Sequence, residues 1–511
     1  MAMAGVSVAA GGTPAPKKAS SPTKGGTLSV LTASGYATWP SLDPAADTQA
    51  VADGLYYDAI YGGLFAQGPK GQIQPDLATS WSFSNGGLTY TMNLRQGVKF
   101  SDGTPFNAAA VAFNLNRDLN PAGTNGVVCA CLPNFPVKSV STPGPYTVQL
   151  TLTHPYAPLA YAWFDETPNW IVSPTALQSE GESTYMTHPV GAGPFQVASD
   201  VPGTKLTLKK NPNYWQSGHP YLDGITFSPV GSDTSGYDSL LSGQNDVYLG
   251  YSTLPNIKVV KQHVQTVKSP DTLGPLVVQL NTAIPPFNNQ TAREALYYAM
   301  NVNPIQKSIA AGLGTPDESM GVPGGLYYQK HVPGYKTFNL KKAKALVKQL
   351  GGLSFTLGTI SLGSATNTEI DSVLQSQFQA AGMHVTLHND PSLAGLIQTF
   401  HGGKWQAELQ TAGGFDPALG VGLAFRYLST APFTGIHDPQ LDAMINQAAT
   451  ITNPQQATSA YSGIWKYIAQ KAYSPFLYTT PGYILSTHSI KGPGISSTGW
   501  EIGWANLSKS A

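Results

Sequence analysis

His384 and His388 stand four residues apart, a spacing that on a helix would aim both rings at one metal ion. They fall in MHVTLH, residues 383–388, where apolar and polar residues alternate as in a strand, so the pair reads as solvated or packed. Cys129 and Cys131 are the only cysteines and form neither a C-x-x-C pair nor part of a Cys/His zinc pattern. A bridge between positions i and i+2 strains disulfide geometry, which leaves two small thiols as the plain reading. Gly191-x-Gly193 is a fragment of a phosphate-cradling loop without its third glycine, and it reads better as a turn. No G-x-S-x-G elbow, P-loop or H-E-x-x-H motif occurs. With 28 acidic residues some pair of carboxylates lies close in any fold. A secreted hydrolase acting on oligosaccharide or peptide with two carboxylates therefore stays open as an alternative to a non-catalytic protein. Nothing in the chain calls for a cofactor or a bound metal.

Bulk properties narrow the field. A chain of 511 residues is too long for one core, so two or three domains are expected. Charged residues make up only 11% of it, against about 25% in an average soluble domain, so Ser, Thr, Asn, Gln and Tyr must carry the polar surface. The 28 basic and 28 acidic residues cancel, and no field draws in nucleic acid or an anionic membrane. Residues 1–10 are apolar and small, without a basic start, and read as the remnant of a signal sequence. Residues 11–24, GGTPAPKKASSPTK, read as a flexible tether. No later stretch approaches the roughly 18 apolar residues of a membrane span.

The elements that must position any site follow from periodicity. Residues 26–32 read as a first strand and 51–65 as a helix. Alternating runs at 81–83 and 88–94 flank Asn85-Gly86, a strong hairpin signal. A helix covers about 107–118, and further strands fall at 137–141, 146–152, 193–198 and 205–209. Beyond residue 270 the pattern alternates: strand 276–280, helix 290–300, helix 340–350 capped by Asn339 and Gly351, strand 354–360, helix 368–380. Strand 383–388, helix 393–400, strand 405–411, helices 440–448 and 455–469, and strands at 476–478 and 483–486 complete it. Such alternation argues an α/β lobe with its sheet covered by helices.

Four blocks in order carry a family resemblance. They are QPDLATSW (74–81) with LTYTMNLR (88–95) and GVKFSDGTP (97–105); PVGAGPF (189–195) with KNPNYW (210–215); LSGQND (241–246); and Asn281 with TAREA (291–295). On these the chain resembles the solute-binding proteins of bacterial ABC importers, class C, the oligopeptide/dipeptide/nickel-binding family 5. The resemblance implies an α/β, two-lobed fold of the periplasmic-binding-protein type, with an extra subdomain inserted in the N-terminal lobe. Lobe I would be 25–269 plus 484–511, with the inserted subdomain at about 51–188; lobe II would be 270–483. The implied function is an extracytoplasmic receptor, in the periplasm or on the outer face of the cell membrane, that captures a small polar or peptide-like solute. It would be a monomer that hands its solute to the importer's membrane permease and performs no chemistry.

Ligand contacts are expected from loops after strands that face the inter-lobe cleft, with Tyr36, Trp39 and Tyr251 on one side and Asn281, Trp405, Gly413, Phe415 and Asp416 on the other. The signature residues Trp81, Arg95, Asp102, Gly191, Gly193 and Pro194 are instead expected to hold turns and hairpins. One departure bears on the ligand. In peptide receptors of this family an aspartate three residues before the position of Asp416 pairs with the peptide's α-ammonium, and here that slot is Gly413. A buried ammonium without a carboxylate is costly, so binding of ordinary peptides is in question. Either Asp416 or another acid compensates, or the ligand is an oligosaccharide, a metal chelate or a blocked peptide.

Overall fold

A computed structural model describes residues 22–33, 39, 41–46, 50–68, 72–119, 135–164, 167–250, 262–268, 274–310, 312–323, 325–360, 365–390, 399, 403–412, 420–431, 434–479, 483–491 and 503–510. Tyr36, Tyr251, Gly413, Phe415, Asp416, both cysteines and the segment 1–21 lie outside these.

The first sheet has seven strands in the order β12-β19-β11-β1-β10-β9-β8. They are β1 (Thr27–Ala33), β8 (Phe195–Val201), β9 (Lys205–Lys210), β10 (Gly224–Val230), β11 (Val247–Gly250), β12 (Gln265–Lys268) and β19 (Tyr483–Ser486). β1 is the centre, parallel to β10 and β11, and β19 runs antiparallel to β11 and β12. Leu28 and Val30 of β1 enter one core with Phe227 and Trp504, while Leu31 enters another with Tyr248 and Leu485. Burial on both faces is what a near-continuous apolar strand predicts.

Between β1 and β8 the chain builds an antiparallel sheet, β4-β5-β7-β6, from β4 (Ala78–Ser84), β5 (Thr89–Leu94), β6 (Val137–Gly144) and β7 (Thr147–Leu152). The short pair β2 (Phe65–Gln67) and β3 (Ile73–Pro75) precedes it. Asn85 and Gly86, at φ 51° and 63°, turn β4 into β5 at the predicted place. The helix expected over 51–65 is Ala50–Ile60 and stops there, because Gly62 takes φ 62° and Phe65 is needed in β2. Signature residues frame this region. Arg95 donates twice to the Asp76 carbonyl, at 3.2 and 3.0 Å, and lies 3.9 Å over Trp215. Asp102 accepts from Thr104 N (2.8 Å) and from the Ser173 hydroxyl (2.9 Å). A Cβ at Gly191 would fall 2.3 Å from the Ile60 carbonyl, so only glycine lets these backbones meet.

The second main sheet runs β13-β17-β15-β16, from β13 (Leu276–Leu280), β15 (Ser354–Ile360), β16 (His384–Asp390) and β17 (Ala407–Thr411). β15 is parallel to β16 and β17; β13 is antiparallel to β17. Phe355, Leu357, Val385, Ala407 and Leu409 share one core with Ile370, Leu374 and Phe378 of the helix Ala365–Ala380. The helix Leu340–Gln349 begins at Asn339, whose side chain accepts from Lys342 N at 3.0 Å, as the capping residue predicts. Helices Pro439–Ala448 and Pro454–Lys471 pack with Val277 and Phe476 in a further core. Short pairs β14 (Thr315–Pro316) with β18 (Tyr478–Thr479) and β20 (Ile490–Lys491) with β21 (Ser508–Lys509) complete the strands among the described residues.

Candidate functional site

The topology brings one set of strand ends together. β1 and β11 are parallel, so Ala33 and Gly250 finish on the same edge of the first sheet, where Tyr483 starts β19 and Lys268 ends β12. In the second sheet β15, β16 and β17 are parallel and finish together, and the start of β13 meets them through the pair Leu276 and Thr411. The chain passes from β12 to β13 and returns from β18 to β19. Thr479 and Tyr483 are four residues apart, which limits their separation to about 14 Å. Leu477 donates its N–H to Leu276 O (2.7 Å), fixing that return segment to the start of β13. The finishing ends of both sheets are therefore the ends at which the chain passes from one sheet to the other, twice.

The expected site residues divide. Tyr36 follows β1 by three residues, Tyr251 follows β11 directly, and Gly413 follows β17 by two, and all three lie outside the described residues with Phe415 and Asp416. Trp39 is only 1% exposed. Its ring packs edge-on against Tyr56, centroids 5.0 Å apart, and its indole N–H donates to Asp200 at 2.9 Å. Trp39 thus sits in the core of the first sheet and ties the chain after β1 to β8. Asn281 and Trp405 sit at the other end of β17. Because β13 runs antiparallel to β17, leaving β13 at Leu280 brings the chain beside Ala407, not Thr411. There the Asn281 amide donates to Trp405 O (2.9 Å), and its carbonyl accepts from Ala283 N (3.1 Å). Trp405 is buried and lines a recess on the face of β15–β17 away from the Phe355 core. The two lie roughly 20 Å along the strand from the chain that leaves Thr411, at the usual rise per residue.

Sequence reasoning passed over several groups near the crossovers. Asp317, next to β14, is 3% exposed, and burial pushes its carboxyl up to about 7. Arg426 is buried, and burial pulls its guanidinium down to about 10; it donates to the Ala412 and Thr411 carbonyls, holding the chain as it leaves β17. Nothing but its position in an apolar helix, Gly420–Tyr427, marked it. His384 and His388 do lie on a strand, and no cluster of three or more metal-ligating side chains exists among the described residues. No described helix is long and apolar enough to cross a membrane.

Residues 72–435 match the model of the "Bacterial extracellular solute-binding proteins, family 5 Middle". The chain is 31% identical over 495 residues to the glutathione-binding protein GsiB of Salmonella typhimurium, covering 91% of this chain and 92% of that protein. Its fold matches a dipeptide-binding protein from Pseudoalteromonas sp. SM9913, solved with Met-Leu, at TM-score 0.82 and 18% identity, covering 95% of this chain and all (100%) of the other. It also matches NikA from Brucella suis, solved with Fe(III)-EDTA, at TM-score 0.80 and 20% identity, covering 94% and 100%. The chain belongs to the family 5 bacterial extracellular solute-binding proteins. It is an extracytoplasmic receptor of the two-lobed α/β type that serves an ABC importer and its permease, and its relatives are binding proteins, not enzymes. The hydrolase alternative finds no support among them.

Proposed function

We propose that the solute is a short peptide-like molecule held in the gap where β1, β11, β15 and β17 finish. The observation that carries this reading is the convergence of those ends at the two crossovers, since inter-domain clefts lined by strand-end loops are the usual place for a solute. Tyr36, Tyr251, Phe415 and Asp416 follow β1, β11 and β17 in the sequence and are the proposed walls. Trp39 and Arg426 act behind them as supports. Asn281 and Trp405 are left out of this site.

The ligand follows from Gly413 together with the relative named for glutathione. An ordinary peptide presents a lone ammonium, and a glycine at 413 offers it no carboxylate. Glutathione carries its ammonium beside its own α-carboxylate, so the charge arrives already partnered. A γ-glutamyl tripeptide therefore suits this site better than Met-Leu. Calorimetry with both solutes is the test: glutathione is expected to bind at least about tenfold tighter, a difference of about 1.4 kcal/mol. Equal or tighter binding of Met-Leu would reverse the ligand assignment and point to Asp416 as the anchor. Failure of every solute to shrink the radius of gyration in small-angle scattering would sink the cleft itself.

A further inference from the structure

Glu408, in the middle of β17, is 1% exposed, and its Oε1 has no hydrogen-bond partner among the described residues. It lies across β15 at Gly358, where a Cβ would fall 2.0 Å from Glu408 Oε2, so that glycine makes room for the carboxyl. Its other cross-strand neighbour, Gln279 of β13, is committed elsewhere: its carbonyl accepts from Arg426 (3.3 Å) and its amide donates to Ser474 (3.4 Å). On the β16 side stands Asp390, also buried, with Oδ2 unpartnered among the described residues and Oδ1 shared between Thr399 (3.3 Å) and His388 (3.4 Å). Glu408 therefore faces the Asp390 carboxylate, with Asp371 of the helix Ala365–Ala380 adding to the negative field. Burial is the larger effect, and together they hold its carboxyl up at about 9, so it is neutral at pH 7. Leaving a buried acceptor without a donor costs about 1–3 kcal/mol. That cost has no counterpart in packing, because Glu408 borders a recess of about 540 Å³ with Thr356, His388, Thr399 and Trp405. Lys404, the only lysine or arginine among the described residues of this lining, stands exposed at its rim.

We propose that this recess is a second solute site, which takes the ammonium of a small zwitterion onto Glu408 and sets its carboxylate toward Lys404. The two side chains leave the chain four residues apart, roughly 13 Å at extended rise, and the lysine stem closes much of that distance. A molecule with its charges at opposite ends of a short chain fits such a spacing. On binding, the neutral carboxyl gives its proton to solvent and the ammonium takes its place, so up to one proton is released per molecule bound. Asp390 strengthens the attraction for the cationic end, while Lys404 disfavours a solute with cations at both ends. The site is separate from the inter-lobe gap, since it lies on the face of the second sheet beside the start of β17.

The test uses 6-aminohexanoate, cadaverine and hexanoate on the full chain, by calorimetry in phosphate and in Tris at pH 7. Expected is binding of 6-aminohexanoate with a buffer-dependent heat that reports proton release, and weaker binding of the other two. Glu408→Gln, which mimics the neutral carboxyl and should fold, is expected to weaken 6-aminohexanoate at least about tenfold. The same variant should leave glutathione binding unchanged, which separates this site from the gap. Lys404→Met should bring 6-aminohexanoate and cadaverine closer in affinity. The proposal is overturned if no probe binds more tightly than about 10 mM, if Glu408→Gln binds 6-aminohexanoate like the native chain, or if the heat is the same in both buffers.

Discussion

Trp39 donates its indole N–H to the Asp200 carboxylate across 2.9 Å and so joins the chain just after the central strand β1 to β8, the edge of the same sheet. Trp39 also takes φ 27°, a conformation that a bulky side chain adopts only when its surroundings enforce it. Trp39→Ala should therefore cost about 3–5 kcal/mol of stability, as for other buried tryptophans. Trp39→Phe keeps a ring against Tyr56 but drops the bond, for a loss nearer 1 kcal/mol plus some packing. Urea unfolding of the two variants measures both, and a near-native midpoint for Trp39→Ala would contradict the core placement.

Arg117 lies on the helix Ala108–Leu119 and reaches back to Asp43 in the chain after β1. Its Nη1 donates to Asp43 Oδ1 at 3.0 Å, while Nη2 is shared by Asp43 and Glu182. Asp43 is fully buried, whereas the Glu182 side chain is 40% exposed. Breaking a buried pair from one side leaves a stranded charge, so Asp43→Asn should destabilise by about 3–5 kcal/mol. Glu182→Gln should cost under about 1 kcal/mol. Chemical denaturation of the two variants side by side decides it: similar losses would mean that burial is not what separates them.

Asp317 makes stability depend on pH in a direction opposite to that of an ion-paired carboxylate. Burial first, then the nearby Glu318, raise its carboxyl to about 7, while Thr479 pulls the other way. An unfolded aspartate titrates near 4. The folded chain holds the proton more tightly, so this contribution is full below about pH 4 and is lost as the pH rises through 7. Asp317→Asn stays neutral throughout and should gain on the native chain by about 2–4 kcal/mol between pH 4 and pH 8. Parallel stability curves for the two proteins would show that the carboxyl is not neutral when folded.

Ala157 N–H donates to Ala449 O at 2.7 Å, linking the chain after β7 to the end of the helix Pro439–Ala448. That helix shares a core with Val277 of β13, so the bond joins the chain after β7 to the elements around the second sheet. Ala157→Pro removes the donor. A lost bond of about 0.5–1.5 kcal/mol should weaken solute binding roughly two- to twelvefold, with faster release and little change in the unliganded melting temperature. Stopped-flow release of glutathione measures this, and an unchanged rate would show that the contact plays no part in holding the solute.

Much of the framework was legible because it is local. Asn85-Gly86 takes positive φ whatever lies around it, Asn339 caps the helix that begins one residue later, and the alternation at 383–388 keeps both histidines on one strand face. The strands at 276–280, 354–360 and 483–486 were bounded to the residue, since each is an apolar run between turn signals. The four family blocks placed the chain among solute-binding receptors, and their residues proved to be framework: Arg95 at a carbonyl, Asp102 at a turn, Gly191 where two backbones touch.

What only the tertiary structure decided depends on partners far away in the chain. Asn281 follows a strand, but whether that end faces the gap depends on the antiparallel sense of β13 against β17, set by residues 127 to 135 positions away. Trp39 follows the central strand as a ligand residue could, yet packing against Tyr56 and a bond to Asp200, 161 residues on, take it into the core. Gly358 signals that something approaches the strand closely, without saying what. Only pairing β15 with β17 brings Glu408 over it, beside a Gln279 already committed to Arg426. Local chemistry sets turns, caps and faces. The sign of strand pairing and the environment of a buried charge are sums over distant contacts, and no stretch of this sequence contains them.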